Sequence, residues 1–333
     1  MTQPDLRVRI GSLELANPVM PASGCFGPEV GQLVDLNGLG AMVTKTVFPN
    51  PRSGNPAHRL GETYGGMLNS VGIPSDGAAG FVHHLLPAYL AWQPPTIVSL
   101  GGLSEEEYFV VAERLADVPG IAGFEVNVSC PNLEAGGHEL GAVPAAVERV
   151  VRGVVDRVRV PVLAKLTPNV TSIADIARAA EAGGAAGVTA INAVLGFGVD
   201  ARKRQAVIGT TTAGLTGPAI KPIALRCVWQ AARAVSIPVV GVGGICTVED
   251  VVEFLLVGAT AVQVGSATFT RPDTMGRIIE GLSAWLAEEG IGSVSELTGA
   301  VRLGAAHHDL AIGGLDSVAD ASASASASPV PRS

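Results

Sequence analysis

Short apolar runs alternate along the chain with longer stretches whose apolar positions recur at helical spacing. An opening segment, residues 7–15, predicts a hairpin turning near Gly11-Ser12. Eight short runs follow it, at residues 18–23, 41–46, 96–100, 123–129, 160–167, 187–192, 238–243 and 261–266. Most are rich in Val and Ile and too short for buried helices, so they read as strands. Helical patterns lie between them at 104–117, 144–158, 172–182, 218–235 and 247–257. The first of these opens on Ser104 and Glu107, the residue pair of a capping box.

Strands alternating with helices imply an α/β protein with a parallel sheet. Eight such units with near-continuous apolar strands imply a closed (β/α)8 TIM barrel. An open doubly wound sheet fits less well, because no GxGxxG follows the first strand. Two connections are long: 47–95 after the second strand and 193–217 after the sixth. Long connections in compact domains usually carry function, and both belong to the face where barrel enzymes do their chemistry. The barrel domain is expected over residues 1–318. Residues 319–333, Ala/Ser alternation ending in Pro-Val-Pro-Arg-Ser, read as a disordered tail without catalytic role.

Composition agrees with a large core: 47% of the 333 residues are hydrophobic and 16% are charged. A net charge of −8 argues against a nucleic-acid or anionic-membrane surface, but not against a small anionic substrate. No apolar run reaches the ~18 residues of a membrane span, and the first ten residues lack the apolar core of a signal peptide. The four cysteines, Cys25, Cys130, Cys227 and Cys246, form no CxxC pair and show no zinc or iron–sulfur spacing. The expectation is a reduced cytoplasmic protein with free thiols and no metal. The six histidines, His83, His84, His307 and His308 among them, fall in no HExxH-like pattern and read as structural or surface groups.

In (β/α)8 barrels the C-terminal strand ends build the active site. Read in order, these ends are Ser23-Gly24, Lys45-Thr46, Ser99, Asn127 with Ser129-Cys130, Lys165, Asn192, Gly243-Gly244 and Gly265-Ser266. The last two pairs suit a phosphate, since glycines let backbone N–H groups approach its oxygens; tight turns alone are the plainer reading. Lys45 and Lys165 end apolar strands, where an ammonium must face the mouth or find a partner. Two such cations suit an anionic reduced flavin and a carboxylate substrate, whereas a snorkelling surface lysine is the alternative for each. Cys130 is followed by Pro131 and a glycine-containing loop, so its thiol could serve as a general base over a cationic mouth. Cys25, Cys227 and Cys246 lack that setting, and Cys227 falls mid-helix, as a core residue would.

Asn-Val-Ser-Cys-Pro-Asn at 127–132 resembles the active-site loop of dihydroorotate dehydrogenases. Lys45-Thr46, the segment Met-Leu-Asn-Ser-Val-Gly at 67–72, Lys-Leu-Thr-Pro-Asn at 165–169, Asn192, Leu-Thr-Gly-Pro-Ala-Ile-Lys-Pro at 215–222 and Gly-Val-Gly-Gly-Ile at 241–245 are similar to that family's motifs in the family's order. The resemblance runs from about Val8 to Leu303. It implies FMN held by Ser23, Lys45, Thr46, Ser99, Asn127, Lys165, Ile191, Gly217, Gly243, Gly244, Gly265 and Ser266. Substrate would meet Lys45, Asn69, Ser70, Val71, Gly72, Ile73, Asn127, Asn192 and Ala193. Cys130 would take the C5 proton of dihydroorotate while hydride leaves C6 for the flavin, giving orotate for pyrimidine biosynthesis.

A cysteine base and the continuation Leu133-Glu134-Ala135-Gly136-Gly137 resemble the NAD-linked type of the cysteine branch. That type implies a homodimer and a separate subunit carrying FAD and a [2Fe–2S] cluster. Two departures touch the substrate side: Asn192-Ala193 replaces the usual Asn-Thr, and Gly72-Ile73-Pro74-Ser75-Asp76-Gly77 replaces Gly-Leu-Gln-Asn-Pro-Gly. They keep open a related dihydropyrimidine such as dihydrouracil, or a flavin-binding paralogue without turnover. A flavin-free barrel with Lys165 as a Schiff-base lysine is a further alternative.

Overall fold

The computed structural model describes residues 3–129 and 140–303. Cys130, with the loop after it, and the 319–333 tail lie outside these residues; the compact barrel unit ends at Val301.

Eight parallel strands form one sheet. In chain order they are Val19–Pro21, Met42–Val43, Thr96–Leu100, Ile121–Asn127, Val162–Leu166, Gly187–Ala190, Val239–Val242 and Ala261–Val264. From the second to the eighth each pairs with the next, and the eighth pairs with the first. The remaining seam, between first and second, is bridged by Gly40, whose N–H donates to the Val19 carbonyl at 2.8 Å. A Cβ at Gly40 would fall 2.2 Å from the Asn17 carbonyl oxygen, so only glycine fits this crossing. The result is the expected (β/α)8 barrel.

Helices Glu105–Leu115, Pro144–Val155, Ile173–Ala182, Lys221–Ala234 and Val248–Leu256 lie where helical spacing places them. The Ser104 hydroxyl accepts from the Glu107 N–H, but the Glu107 carboxylate reaches back to Leu103 N–H rather than closing on Ser104. Helix Thr274–Glu288 and the three short helical segments over 77–90 were not expected from the sequence.

A period of two divides the strand residues. Phe124, Val126, Val162, Ala164, Val262 and Val264 face the helices and join the main core. Ile97, Leu163, Val240 and Ala261 face the interior and pack with Ile10, Leu13 and Leu15 of the opening hairpin. That hairpin, Val8–Ile10 with Leu13–Leu15, closes the N-terminal end: Gly11 lies against Ala186 and Pro161, just before the sixth and fifth strands.

The two long connections are not merely loops. Leu60–Thr63 and Gly66–Asn69 from the first, and Val194–Gly196 and Ala213–Thr216 from the second, form one four-stranded antiparallel sheet. Leu68, Ile208 and Ala213 are its small buried core.

Candidate active site

Five strand ends are joined side chain to side chain at the C-terminal mouth. Ser23 Oγ lies 3.4 Å from Thr46 Oγ1, and Thr46 Oγ1 lies 3.0 Å from Ser99 Oγ. Asn127 Nδ2 donates to the same Thr46 oxygen at 3.5 Å, and Asn192 Nδ2 donates to Asn127 Oδ1 at 3.2 Å. This chain of groups therefore extends to the sixth strand's end as well. The fifth is tied in by the Ser129 hydroxyl, which donates to the Lys165 carbonyl at 3.1 Å. Behind them Tyr108, on the helix after the third strand, donates its hydroxyl to the Asn127 carbonyl at 2.7 Å. Asn127 is thus fixed through both its backbone and its amide, which leaves little rotational freedom.

The two lysines differ. Lys165 is 5% exposed; its Nζ donates to Gln263 Oε1 at 3.0 Å and lies 3.5 Å from Glu125 Oε1. Glu125 is fully buried, and its Oε2 accepts from Gln263 Nε2 at 2.6 Å and from the Thr189 hydroxyl at 3.0 Å. Glu125, Gln263 and Thr189 were missed in the sequence. The signal was there: with Asn127 facing inward, Glu125 two residues earlier must also face inward, and a buried carboxylate needs a cation.

Lys45, by contrast, is exposed, and no described carboxylate lies within ion-pair distance of it. Partial burial, and then the charge of Arg59, pull its pKa below the ordinary lysine value. It lines a cavity of about 770 Å³ together with Gly24, Thr46, Arg52, Asp76 and Thr268, beside the first and second strand ends. Asn127, Lys165 and Asn192 are not among the described walls of that cavity, so it flanks the mouth rather than filling it. Cys25 also lies here, and burial pushes its thiol pKa up, keeping it neutral.

Three of the glycines expected to meet FMN adopt conformations that favour glycine. Gly217, Gly243 and Gly244 have φ of 101°, 131° and 78°, a region that L side chains avoid. A Cβ at Gly244 would lie 2.9 Å from Lys221 Cβ and 3.0 Å from the Gly217 carbonyl oxygen, so the turn packs too closely to admit a side chain. Lys221 locks the turn by ion pairs to Asp250 at 2.7 Å and Glu253 at 2.8 Å; these hydrogen bonds raise its pKa. Gly265 faces Ala22 and Cys25, and the Thr268 hydroxyl donates to the Cys25 carbonyl at 3.1 Å, joining the eighth strand end to the first. Ile191 is buried, and its N–H donates to the Val242 carbonyl at 3.1 Å.

Asn69 and Ala193, both expected to meet substrate, come together at Gly214. The point a Cβ on Gly214 would occupy lies 2.6 Å from Ala193 Cβ and 3.7 Å from the Asn69 amide nitrogen. Asn69 donates to the Gly214 carbonyl at 3.1 Å. Ser70 Oγ is held by Asn55 Nδ2 at 2.9 Å and by Thr210 Oγ1 at 2.6 Å, while Asn55 N–H donates to the Val71 carbonyl at 3.0 Å. Gly72 and Ile73 turn through φ of 74° and 45°. The segment that departs from the family pattern then braces the long connection. Ser75–Asp76 pairs with Pro51–Arg52, and Ser75 Oγ accepts from the Phe48 N–H at 3.3 Å. Among the described residues no His/Cys/Asp/Glu group could hold a metal, and no helix is long and apolar enough to cross a membrane.

Fold and mouth together define a (β/α)8 barrel with a polar C-terminal mouth. A family model described as Dihydroorotate dehydrogenase matches residues 5–286. A relative from Desulforamulus reducens, named Dihydroorotate dehydrogenase B (NAD(+)), catalytic subunit, is 47% identical over 301 residues, covering 90% of this chain and 99% of the relative. Relatives of the same name from Geotalea uraniireducens and Geobacter sulfurreducens are each 45% identical, over 90% and 91% of this chain and 99% and 100% of their own lengths. The chain belongs to the dihydroorotate dehydrogenase family of oxidoreductases.

Proposed function

We propose that this protein oxidises dihydroorotate to orotate with bound FMN, as the catalytic subunit of an NAD-linked enzyme in pyrimidine biosynthesis. The observation that carries this reading is the mouth: linked amides of Asn127 and Asn192, a buried Lys165, and glycine turns after the seventh strand. Asparagine amides donate and accept together, as a dihydropyrimidine ring requires. The positive-φ pair Gly243-Gly244 after the seventh strand supports a phosphate there, since glycines let backbone N–H groups approach its oxygens. Ser23, Lys45, Thr46, Ser99, Asn127 and Lys165 would hold the flavin ring side. Ile191, Gly217, Gly243, Gly244, Gly265 and Ser266 would hold the chain and phosphate.

FMN, when bound, supplies the acceptor for the C6 hydride. The residues of this chain do the rest. Asn69, Ser70, Val71, Gly72 and Ile73 cover the substrate, and Lys45 meets its carboxylate. Asn127, Asn192 and Ala193 fix the ring, and the Cys130 thiolate takes the C5 proton. The relatives' name, catalytic subunit, supports a partner that relays electrons onward. FAD and a [2Fe–2S] cluster are assigned to that partner, and the catalytic chain is read as a cytoplasmic homodimer.

An anaerobic absorbance spectrum tests the reading. The flavin band near ~450 nm bleaches when L-dihydroorotate is added if cofactor, substrate and half-reaction are right. The Ala193 departure favours a second reading, that of a dihydrouracil enzyme; bleaching by dihydrouracil alone selects it. A band that no dihydropyrimidine bleaches, or protein that takes up no FMN, overturns both.

A further inference from the structure

The polar cluster behind Lys165 is costly to bury. A buried ion pair is often no more stable than apolar side chains of similar volume, yet further polar groups surround this one. The Gln263 amide is oriented at both ends: its Oε1 accepts from Lys165 and its Nε2 donates to Glu125. The Thr189 hydroxyl donates to the same Glu125 oxygen. The other oxygen, Oε1, has no hydrogen-bond partner among the described residues and faces Lys165 Nζ at 3.5 Å. The lysine is therefore charge-balanced without a direct hydrogen bond to the carboxylate. An ammonium has three donors, and among the described residues Gln263 is the side chain that uses one. The others remain for whatever fills the mouth.

We propose that Glu125, aligned by Gln263 and Thr189, is a positioning residue that sets how much of the Lys165 charge a bound flavin feels, and thereby sets the flavin's reduction potential. The inference rests on the FMN reading above. Two-electron reduction by hydride adds negative charge to the flavin ring. An unbalanced Lys165 would favour that reduced form, and a buried carboxylate 3.5 Å from Nζ offsets part of the effect. The balance keeps the reduced flavin from being held too firmly to pass its electrons on.

The deciding measurement is the midpoint potential of the flavin in FMN-loaded wild-type, Glu125→Gln and Glu125→Asp proteins, equilibrated against a reference dye. Glu125→Gln removes the charge at constant shape. It is expected to shift the preference for reduced over oxidised flavin about tenfold, a rise of ~30 mV for a two-electron couple. Glu125→Asp keeps the charge but withdraws it by one methylene, and is expected to move the preference the same way by about threefold. Should Glu125→Gln fail to fold, the Asp variant alone decides. A role in packing only would change flavin content or melting temperature and leave the potential of the bound flavin where it was. Unmoved or lowered potentials in flavin-loaded variants overturn this inference alone. Wild-type protein that binds no FMN overturns the proposed function and this inference with it.

Discussion

The two ends of one barrel interior are built on opposite principles. At the hairpin end, Ile10, Leu13 and Leu15 pack with Met20, Val43, Ile97 and Leu163 into a closed apolar plug. At the other end, strands three, four, five, six and eight place Ser99, Asn127, Lys165, Thr189 and Gln263 inward, each buried. Strand three passes from Ile97 to Ser99, and strand five from Leu163 to Lys165, within a single side-chain repeat. Stability and chemistry are thus separated by a few ångströms along the same strands. The apolar end tolerates nothing but close packing, while the polar end is held by directional bonds that leave particular groups available.

That contrast can be broken from either end. The largest expected effect is at Cys130: Cys130→Ser should slow flavin reduction by dihydroorotate ~10²–10⁴-fold at neutral pH, because a serine hydroxyl is a poor base there. FMN should stay bound, and stopped-flow absorbance reads the rate; near-normal reduction would remove Cys130 from the mechanism. Next is Glu125→Ala, which leaves the buried Lys165 without its counter-charge and should cost about 3–5 kcal/mol in urea unfolding. A loss below ~1 kcal/mol would mean that the ion pair is not a stabilising contact, as surface pairs often are not. At the plug, Ile10→Ala opens a cavity and should cost about 2–5 kcal/mol, with the extent of flavin bleaching unchanged. If bleaching falls in step with stability, the two ends are not independent. The smallest effect is expected from Gly214→Ala, whose methyl would press on Ala193 Cβ from 2.6 Å. Overpacking of about 1–3 kcal/mol there should raise KM for dihydroorotate and leave FMN content untouched.

Much of this was legible from pattern. The eight strands, the order of their polar ends and the core position of Cys227 follow from alternation and helical period, and Cys227 is indeed buried at 1% exposure. Three things were not. The four-stranded sheet over the mouth joins segments far apart in the chain, Gly66–Asn69 with Ala213–Thr216, and no local period predicts that pairing. Lys45 reads from sequence like Lys165, yet one is exposed and the other is sunk among polar groups, a difference set by neighbours on distant strands. Helix Thr274–Glu288 lies beyond the eighth strand end, where no further strand follows among the described residues to mark a repeat, although Met275, Ile278, Leu282 and Leu286 keep helical spacing and are buried.

The sheet over the mouth also imposes an order of assembly during synthesis. Leu60–Thr63 and Gly66–Asn69 can pair as soon as they leave the ribosome, for they are neighbours in the chain. The free edge of Gly66–Asn69 must then wait for Ala213–Thr216, which emerges only after the third to sixth barrel strands have followed it. An unpaired strand edge invites the wrong partner, and contacts so distant in sequence form slowly. The four-stranded sheet is therefore completed only after six barrel strands have emerged, and the nascent chain carries an open edge until it is.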